Sequence, residues 1–223
     1  MTHMTDFSFS IPTDVLRAAL VCVSTEATRY YLRGVHVEPD ADDVVLVSTD
    51  GHRLFCGRCP LPPAGAITPA EPFIVPTDAI KKALTGYKGL AIQLERTGDV
   101  WTLGDVTFKP VDGTFPDWRR VAPTQKTISE DLGKIAQFNP AYVADMGKVA
   151  KAVSAATRGA VVLPIIHHMG SGPAFVTFPG REDLFALIMP TRGEMRDKAE
   201  LGFLMAHVAQ NKAATLAAAA KRA

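Results

Sequence analysis

Apolar and polar residues alternate along Phe7-Ser8-Phe9-Ser10-Ile11, the period-two pattern of a half-buried strand. The alternation breaks at Pro12-Thr13-Asp14. Proline costs nothing in a first helical turn, where its missing N–H would have no helical partner. A carboxylate in that turn interacts well with the helix dipole. The pattern therefore predicts a strand that feeds directly into a helix. Three strand-like runs follow, Tyr30 to Glu38, Val44 to Ser48 and His52 to Arg58. Asp40-Ala41-Asp42-Asp43 and Asp50-Gly51 separate them, and Asp and Gly are turn formers.

The same order recurs twice more. Ile11-Pro12-Thr13-Asp14-Val15-Leu16 is echoed by Val75-Pro76-Thr77-Asp78-Ala79-Ile80, and more weakly by Asn139-Pro140-Ala141-Tyr142-Val143. The prolines are evenly spaced (76 − 12 = 64 and 140 − 76 = 64). Pro72-Phe73-Ile74-Val75 precedes the second helix start as a strand, and Lys134 to Phe138 precedes the third. Leu90 to Glu95, Val100 to Leu103 and Val106 to Pro110 follow the second helix, with Thr97-Gly98-Asp99 and Gly104-Asp105 as tight hairpin turns. Ala160 to His167, Ala174 to Phe178 and Leu184 to Met189 follow the third. The chain thus reads as three β-α-β-β-β units, an α+β protein in which Leu61 to Glu71 and Val111 to Gly133 are linkers.

Bulk properties narrow the function. At 223 residues, with 47% hydrophobic and 21% charged content, the chain has the composition of an ordinary globular protein. Lys+Arg 24 against Asp+Glu 23 leaves a net charge of +1, which is no bulk footprint for nucleic acid. Any DNA contact must come from a local arrangement of charge. Three cysteines suit a reducing compartment. No apolar run reaches membrane-spanning length, and the start lacks the basic and apolar regions of a signal peptide. The sequence-level expectation is a cytoplasmic protein.

The densest chemistry lies in Val45-Leu46-Val47-Ser48-Thr49-Asp50-Gly51-His52-Arg53-Leu54. A buried strand leads to a turn that carries Thr, Asp, His and Arg together. Read alone, this is either a polar turn with a capping Asp or the rim of a site. Arg29-Tyr30-Tyr31-Leu32-Arg33-Gly34-Val35 followed by Ser48-Thr49-Asp50-Gly51-His52-Arg53-Leu54 resembles the middle domain of the bacterial β sliding clamp, the processivity subunit of DNA polymerase III. Val111-Asp112-Gly113-Thr114-Phe115-Pro116-Asp117-Trp118-Arg119-Arg120-Val121 resembles the closing stretch of that domain. Phe138-Asn139-Pro140-Ala141-Tyr142-Val143 and Ile188-Met189-Pro190-Thr191-Arg192 are similar to the last half of its third domain. The resemblance implies a sliding-clamp fold with one full clamp domain over 7–122, a half-domain over 125–192 and a helical tail over 193–223. The family's first domain and the first half of its third have no counterpart, since 123–133 is too short to hold the latter.

The resemblance also implies a pocket that captures short linear peptides of DNA polymerases and repair proteins. Its walls would be Leu32, Thr49, Gly51, His52, Arg53, Leu54, Pro116, Arg120 and Val121, joined by Asn139, Tyr142, Met189, Pro190 and Arg192. The chemistry suits that role. Leu, Val, Pro and Met make an apolar floor, Met adapts to varied partners, and Arg and His can hold a peptide's carbonyls or carboxylate. Alternatively the apolar members are core and the arginines are solvated. Thr191 and Gly193 stand where the family usually has Met and Leu. Clamp helices face DNA phosphates, which here implies non-specific double-stranded DNA contact by Arg17, Lys81, Lys82, Lys148 and Lys151, weak and salt-sensitive. On a plain helix surface the same residues are simply solvated. The implied protein is a homo-oligomeric clamp of DNA replication. Its alternative is a non-encircling decoy that competes with a host clamp for those peptides.

No cofactor, metal or catalytic set is expected. Cys56-Gly57-Arg58-Cys59 is a single C-x-x-C without a second pair. His167-His168 would point to opposite faces of a strand. No Ser-His-Asp set, Walker loop or dinucleotide fingerprint occurs. In the tail, Leu201, Leu204, Met205 and Val208 stand at helical spacing from Asp197 onward. That stripe predicts a helix over 197–220 that covers the apolar faces a third unit without its mate would leave exposed.

Overall fold

The structure, a computed structural model, describes residues 6–40, 43–60, 69–131, 136–154 and 162–191. Strand β1 (Phe7–Pro12) runs into helix α1 (Thr13–Ala19), and β2 (Gly34–Asp40), β3 (Asp43–Thr49) and β4 (Arg53–Pro60) complete the first repeat. The second repeat comprises β5 (Phe73–Pro76), α2 (Thr77–Leu84), β6 (Ala91–Thr97), β7 (Val100–Leu103) and β8 (Val106–Phe108). A short helix, α3 (Gln125–Asp131), leads to the third, made of α4 (Pro140–Ser154), β9 (Ile165–His167), β10 (Ala174–Thr177) and β11 (Leu184–Ile188).

The first two repeats lend each other their leading strands. β1 pairs antiparallel with β6, placing Pro12 opposite Ala91, and β5 pairs with β2, placing Pro76 opposite Gly34. The helix starts are tied in the same crosswise manner. Thr13 donates from its amide and its hydroxyl to the Leu90 carbonyl, at 2.9 and 3.2 Å. Thr77 donates likewise to the Arg33 carbonyl, at 3.1 and 2.9 Å. The Pro-Thr pair that marks the repeat thus fixes each helix onto its neighbour's sheet. Gly34 is required at this crossing, because a Cβ there would stand 2.5 Å from the Val75 carbonyl oxygen.

The third repeat joins the first. β11 pairs antiparallel with β4, with Leu187 opposite Leu54 and Ile188 opposite Arg53. This gives a seven-stranded sheet, β5-β2-β3-β4-β11-β10-β9, beside a four-stranded one, β1-β6-β7-β8. Helix α1 packs on α4. A large core unites all three repeats and includes Phe9, Leu16, Phe55, Ile80, Leu94, Met146 and Phe178. A second cluster gathers Leu32, Val45, Val47, Leu54, Cys56, Ile74, Phe115 and Leu187. Val45 and Val47 alternate along β3 with Val44 and Leu46 of the large core, so the two clusters lie on opposite faces of the seven-stranded sheet. Arg181 locks the first repeat to the third. Its Nη1 donates to Asp14 at 2.5 Å and to the Val153 carbonyl at 3.1 Å, while Nε and Nη2 grip Asp183 at 2.9 and 2.8 Å.

Four expectations from the pattern need correction. Tyr30 to Leu32 is not strand but the end of a 3-10 helix, Ala27–Leu32, closed by the Arg33 amide on the Tyr30 carbonyl. The linker 111–133 contains α3. The strand read from 160 is confined, among the described residues, to Ile165–His167. Residues 136–138 are not strand either. A leading strand in this fold needs another repeat's sheet to join, and none is available to the third among the described residues. The Gln137 carbonyl instead accepts from the amide and hydroxyl of Thr191, at 2.8 and 3.0 Å. The third repeat is also less bare than its missing mate suggests, because β4 covers one edge of its sheet and α1 its helix. Arg192 and the expected tail helix lie outside the described residues. No helix among the described residues is long and apolar enough to cross a membrane.

Candidate functional site

Turn chemistry builds one wall. Asp50 Oδ1 accepts from the amides of His52 and Arg53, at 2.9 and 3.0 Å. Thr49 Oγ1 accepts from the Gly51 amide at 3.0 Å and donates to the Arg53 carbonyl at 2.7 Å. Both side chains act as backbone mimics that close the turn. Gly51 holds φ +90, a conformation that costs glycine little. From outside, Arg29 Nη1 donates to the Asp50 carbonyl at 3.0 Å.

The stretch 111–121 builds the opposite wall. It lies over the outer face of the seven-stranded sheet, where Phe115 joins the second cluster and Val111 and Trp118 pack against it. Two bonds to Glu38 hold it down, from Trp118 Nε1 at 3.1 Å and Arg119 Nη1 at 2.7 Å. Burial by itself would raise the Glu38 carboxyl, but these donors hold it below its usual value. Next to it, His36 stacks on Phe115 with centroids 4.5 Å apart, and burial lowers its pKa. These residues border a second cavity of about 420 Å³ on the other side of Trp118.

Between the turn and Trp118 lies a cavity of about 200 Å³ lined by Leu32, Thr49, Gly51, Arg53, Leu54, Pro116, Asp117, Trp118, Val121, Leu187 and Met189. It is smaller than the cavities that enclose whole drug-sized ligands, about 300–1,000 Å³, so it suits one or two side chains of a longer partner. Eight residues expected from the sequence converge here: Leu32, Thr49, Gly51, Arg53, Leu54, Pro116, Val121 and Met189. Asp117, Trp118 and Leu187 were missed. Trp118 stood within the quoted closing stretch, and its indole N–H beside a carboxylate-bearing strand was the signal. Leu187 carried none, because only the β4–β11 pairing brings it in.

Other expected residues stand next to the cavity without lining it. His52 stacks on Tyr142 at 5.5 Å, and its carbonyl accepts from the Met189 amide at 2.8 Å. Asn139 is occupied by capping α4, accepting from the Ala141 amide at 2.9 Å. Pro190 is half-buried, and Arg120 is exposed at the end of the turn Trp118–Arg120. Arg53 is not a solvated rim cation. Its side chain is 14% exposed, pairs with Asp50 at 3.2 Å and with Asp145 of α4, and lies 5.1 Å over the Tyr142 ring. It fastens the turn of the first repeat to the helix of the third.

The candidate DNA contacts divide. Lys81, Lys82 and Lys151 are exposed on α2 and α4. Arg17 instead caps the end of α2, donating to the carbonyls of Leu84 and Tyr87 at 3.3 and 3.0 Å. Lys148 is paired with Asp145 at 2.6 Å. Cys56 and Cys59 belong to different core clusters on opposite faces of β4. Burial pushes the thiol of Cys56 up to about 12 and raises that of Cys59 further. His167 and Thr177 share a hydrogen bond at 2.9 Å, while His168 meets the Phe138 ring edge-on at 5.3 Å.

Comparison with known proteins assigns this architecture. Residues 11–117 match the model of the DNA polymerase III beta subunit, central domain. The chain is 32% identical over 115 residues to the beta sliding clamp of Escherichia coli strain K12, covering 49% of this chain and 31% of that protein. It is 34% identical over 124 residues to the beta sliding clamp of Caulobacter vibrioides strain NA1000, covering 49% of this chain and 33% of that protein. The chain therefore spans about one third of the length of these curated relatives. The solved pol III beta of Caulobacter crescentus superposes with a TM-score of 0.61 at 20% identity, over 86% of this chain and 68% of that one. The sliding clamp of Bacillus subtilis gives 0.61 at 17% identity, over 84% of this chain and 64% of that one. The fold match extends well beyond the sequence match and takes in the third repeat. By its central-domain sequence and its fold, the chain belongs to the bacterial DNA polymerase III beta sliding clamp family.

Proposed function

We propose that the chain is a clamp-like protein of DNA replication that docks short linear peptides of polymerases or repair proteins in the cavity beside Trp118. Residues 7–122 act as a full clamp domain and 125–192 as a half-domain, and the docking site lies where they meet. The observation that supports this is convergence. Residues from the turn after β3, from the stretch 111–121 and from the end of β11 enclose one apolar cavity, although they stand far apart in sequence. Leu32, Leu54, Pro116, Val121 and Met189 receive an aliphatic or aromatic anchor. Arg120 and His52 lie outside the floor, within reach of a peptide's flanking carbonyls or carboxylate.

The test is fluorescence anisotropy with a labelled peptide of the glutamine-leucine-phenylalanine type. Binding at micromolar strength, about −8 kcal/mol, is expected. Val121→Asp and Met189→Asp place charges at positions exposed enough to leave the fold intact and should abolish it. Absence of binding to the parent protein would refute the reading.

The same protein contacts double-stranded DNA through Lys81, Lys82 and Lys151, weakly and independently of sequence. A second reading, the non-encircling decoy, gains from the engagement of Arg17 and Lys148 in protein contacts, which leaves the helix face less basic. Retention on nicked circular DNA with loss from linear DNA supports encirclement, and equal behaviour on both supports the decoy.

A further inference from the structure

The crosswise exchange between the first two repeats sets a rule that the third does not meet. Each of the first two gives its leading strand to the other and receives one at the outer edge of its own sheet. The third has both halves of that arrangement unused. Its acceptor edge is β9, whose outer side faces no strand among the described residues. Its donor is the stretch 136–138, which leads into α4 where β1 and β5 lead into α1 and α2, yet forms no strand.

The two open edges of the second and third repeats differ in character. β8 is three residues long and is followed by Lys109-Pro110, a short edge blunted by a charge and a proline. The stretch Val162-Leu163-Pro164-Ile165-Ile166-His167 carries no Lys, Arg, Asp or Glu. Leu163 is 69% and Ile165 48% exposed. An apolar edge of this kind is a template for another strand. The donor already lies at its end, with the Ala136 amide 3.5 Å from His168 Nδ1 and the Phe138 ring against the same imidazole.

We propose that two copies of this chain associate through their third repeats by reciprocal strand exchange. The 136–138 stretch of each pairs with β9 of the other, as β1 pairs with β6 and β5 with β2. A two-fold axis satisfies both donors and both acceptors with one interface, the self-complementary geometry typical of homodimers. The pairing covers Leu163 and Ile165 and leaves the cavity beside Trp118 unobstructed. The proposal is independent of peptide docking.

The test is the solution mass of the full chain by light scattering, with Ile165→Lys as the edge variant. A mass of twice 23.9 kDa is expected for the parent, and the monomer mass for Ile165→Lys with its circular dichroism unchanged. A second variant carries Gln137→Cys and Ile165→Cys. It should form disulfide-linked dimers on oxidation, while the native cysteines are buried and the parent should form none. A monomeric parent overturns the proposal, as does a dimer that persists in Ile165→Lys without a 137–165 cross-link. If the chain's own tail covers β9 instead, the full chain is monomeric and only the chain cut after Thr191 associates, which also overturns it. Should Ile165→Lys unfold, the cross-link decides alone.

Discussion

Replacing Arg53 with methionine separates the two parts of the chain that enclose the cavity. The substitution keeps most of the apolar stem and removes the guanidinium. Asp145, whose side chain is 11% exposed, would then retain only Lys148 as a cation, and that lysine is 71% exposed. Breaking a buried ion pair on one side costs about 3–5 kcal/mol. The remaining Lys148 places this case at the lower end, at about 3 kcal/mol. Loss of the guanidinium over Tyr142 adds about 0.5–1 kcal/mol. For a chain of this size the sum corresponds to a drop in melting temperature of roughly 6–16 °C. Urea unfolding of the parent, Arg53→Met, Asp145→Asn and the double variant measures it as a cycle. A coupling energy of about 2 kcal/mol or more between positions 53 and 145 is expected. A loss below about 0.5 kcal/mol for Arg53→Met, or strict additivity in the cycle, would refute the assignment of Arg53 as the fastener between the first and third repeats.

Two further outcomes follow from the site geometry. Gly51→Ala must hold φ +90 and bring a Cβ to 2.8 Å from Arg29 Nη1, so it should cost about 1–3 kcal/mol in urea unfolding and weaken peptide binding. Stability should fall on acidification in two stages read by thermal melting. His36 has a folded pKa below its ordinary 6.5, so the unfolded chain takes up a proton that the folded chain refuses, and stability declines as pH falls below about 6.5. Glu38 is held below its ordinary 4.5, so its contribution is complete above that value and is lost as pH falls through the folded pKa. His36→Leu should remove the upper stage and leave the lower one.

What could be read from the chain was mostly local. The turn at Asp50-Gly51 was legible because the side chains that close it lie within four residues of each other. The Pro-Thr helix starts were legible through their even spacing. The roles of distant partners were not. Asp145 gives no sequence sign that it meets Arg53, and Arg17 gives none that it caps α2 rather than facing solvent. Tyr30-Tyr31-Leu32 has strand-forming composition, but the closure of Arg33 onto Tyr30 and the Ser24 amide on the Leu32 carbonyl impose a helical turn. The stretch 136–138 alternates like a strand and lacks the partner sheet that would make it one. Sequence pattern records a propensity to pair, while pairing itself depends on which edge the fold brings near.

The account stands most directly on where a clamp-binding peptide contacts the protein. Amide chemical shifts of the isotope-labelled chain, followed through a peptide titration, measure this residue by residue. The expected changes centre on Leu32, Thr49, Gly51, Leu54, Val121 and Met189 and on the Trp118 indole N–H, while the α2 amides stay unmoved. Changes confined to another surface, or none at millimolar peptide, would contradict it.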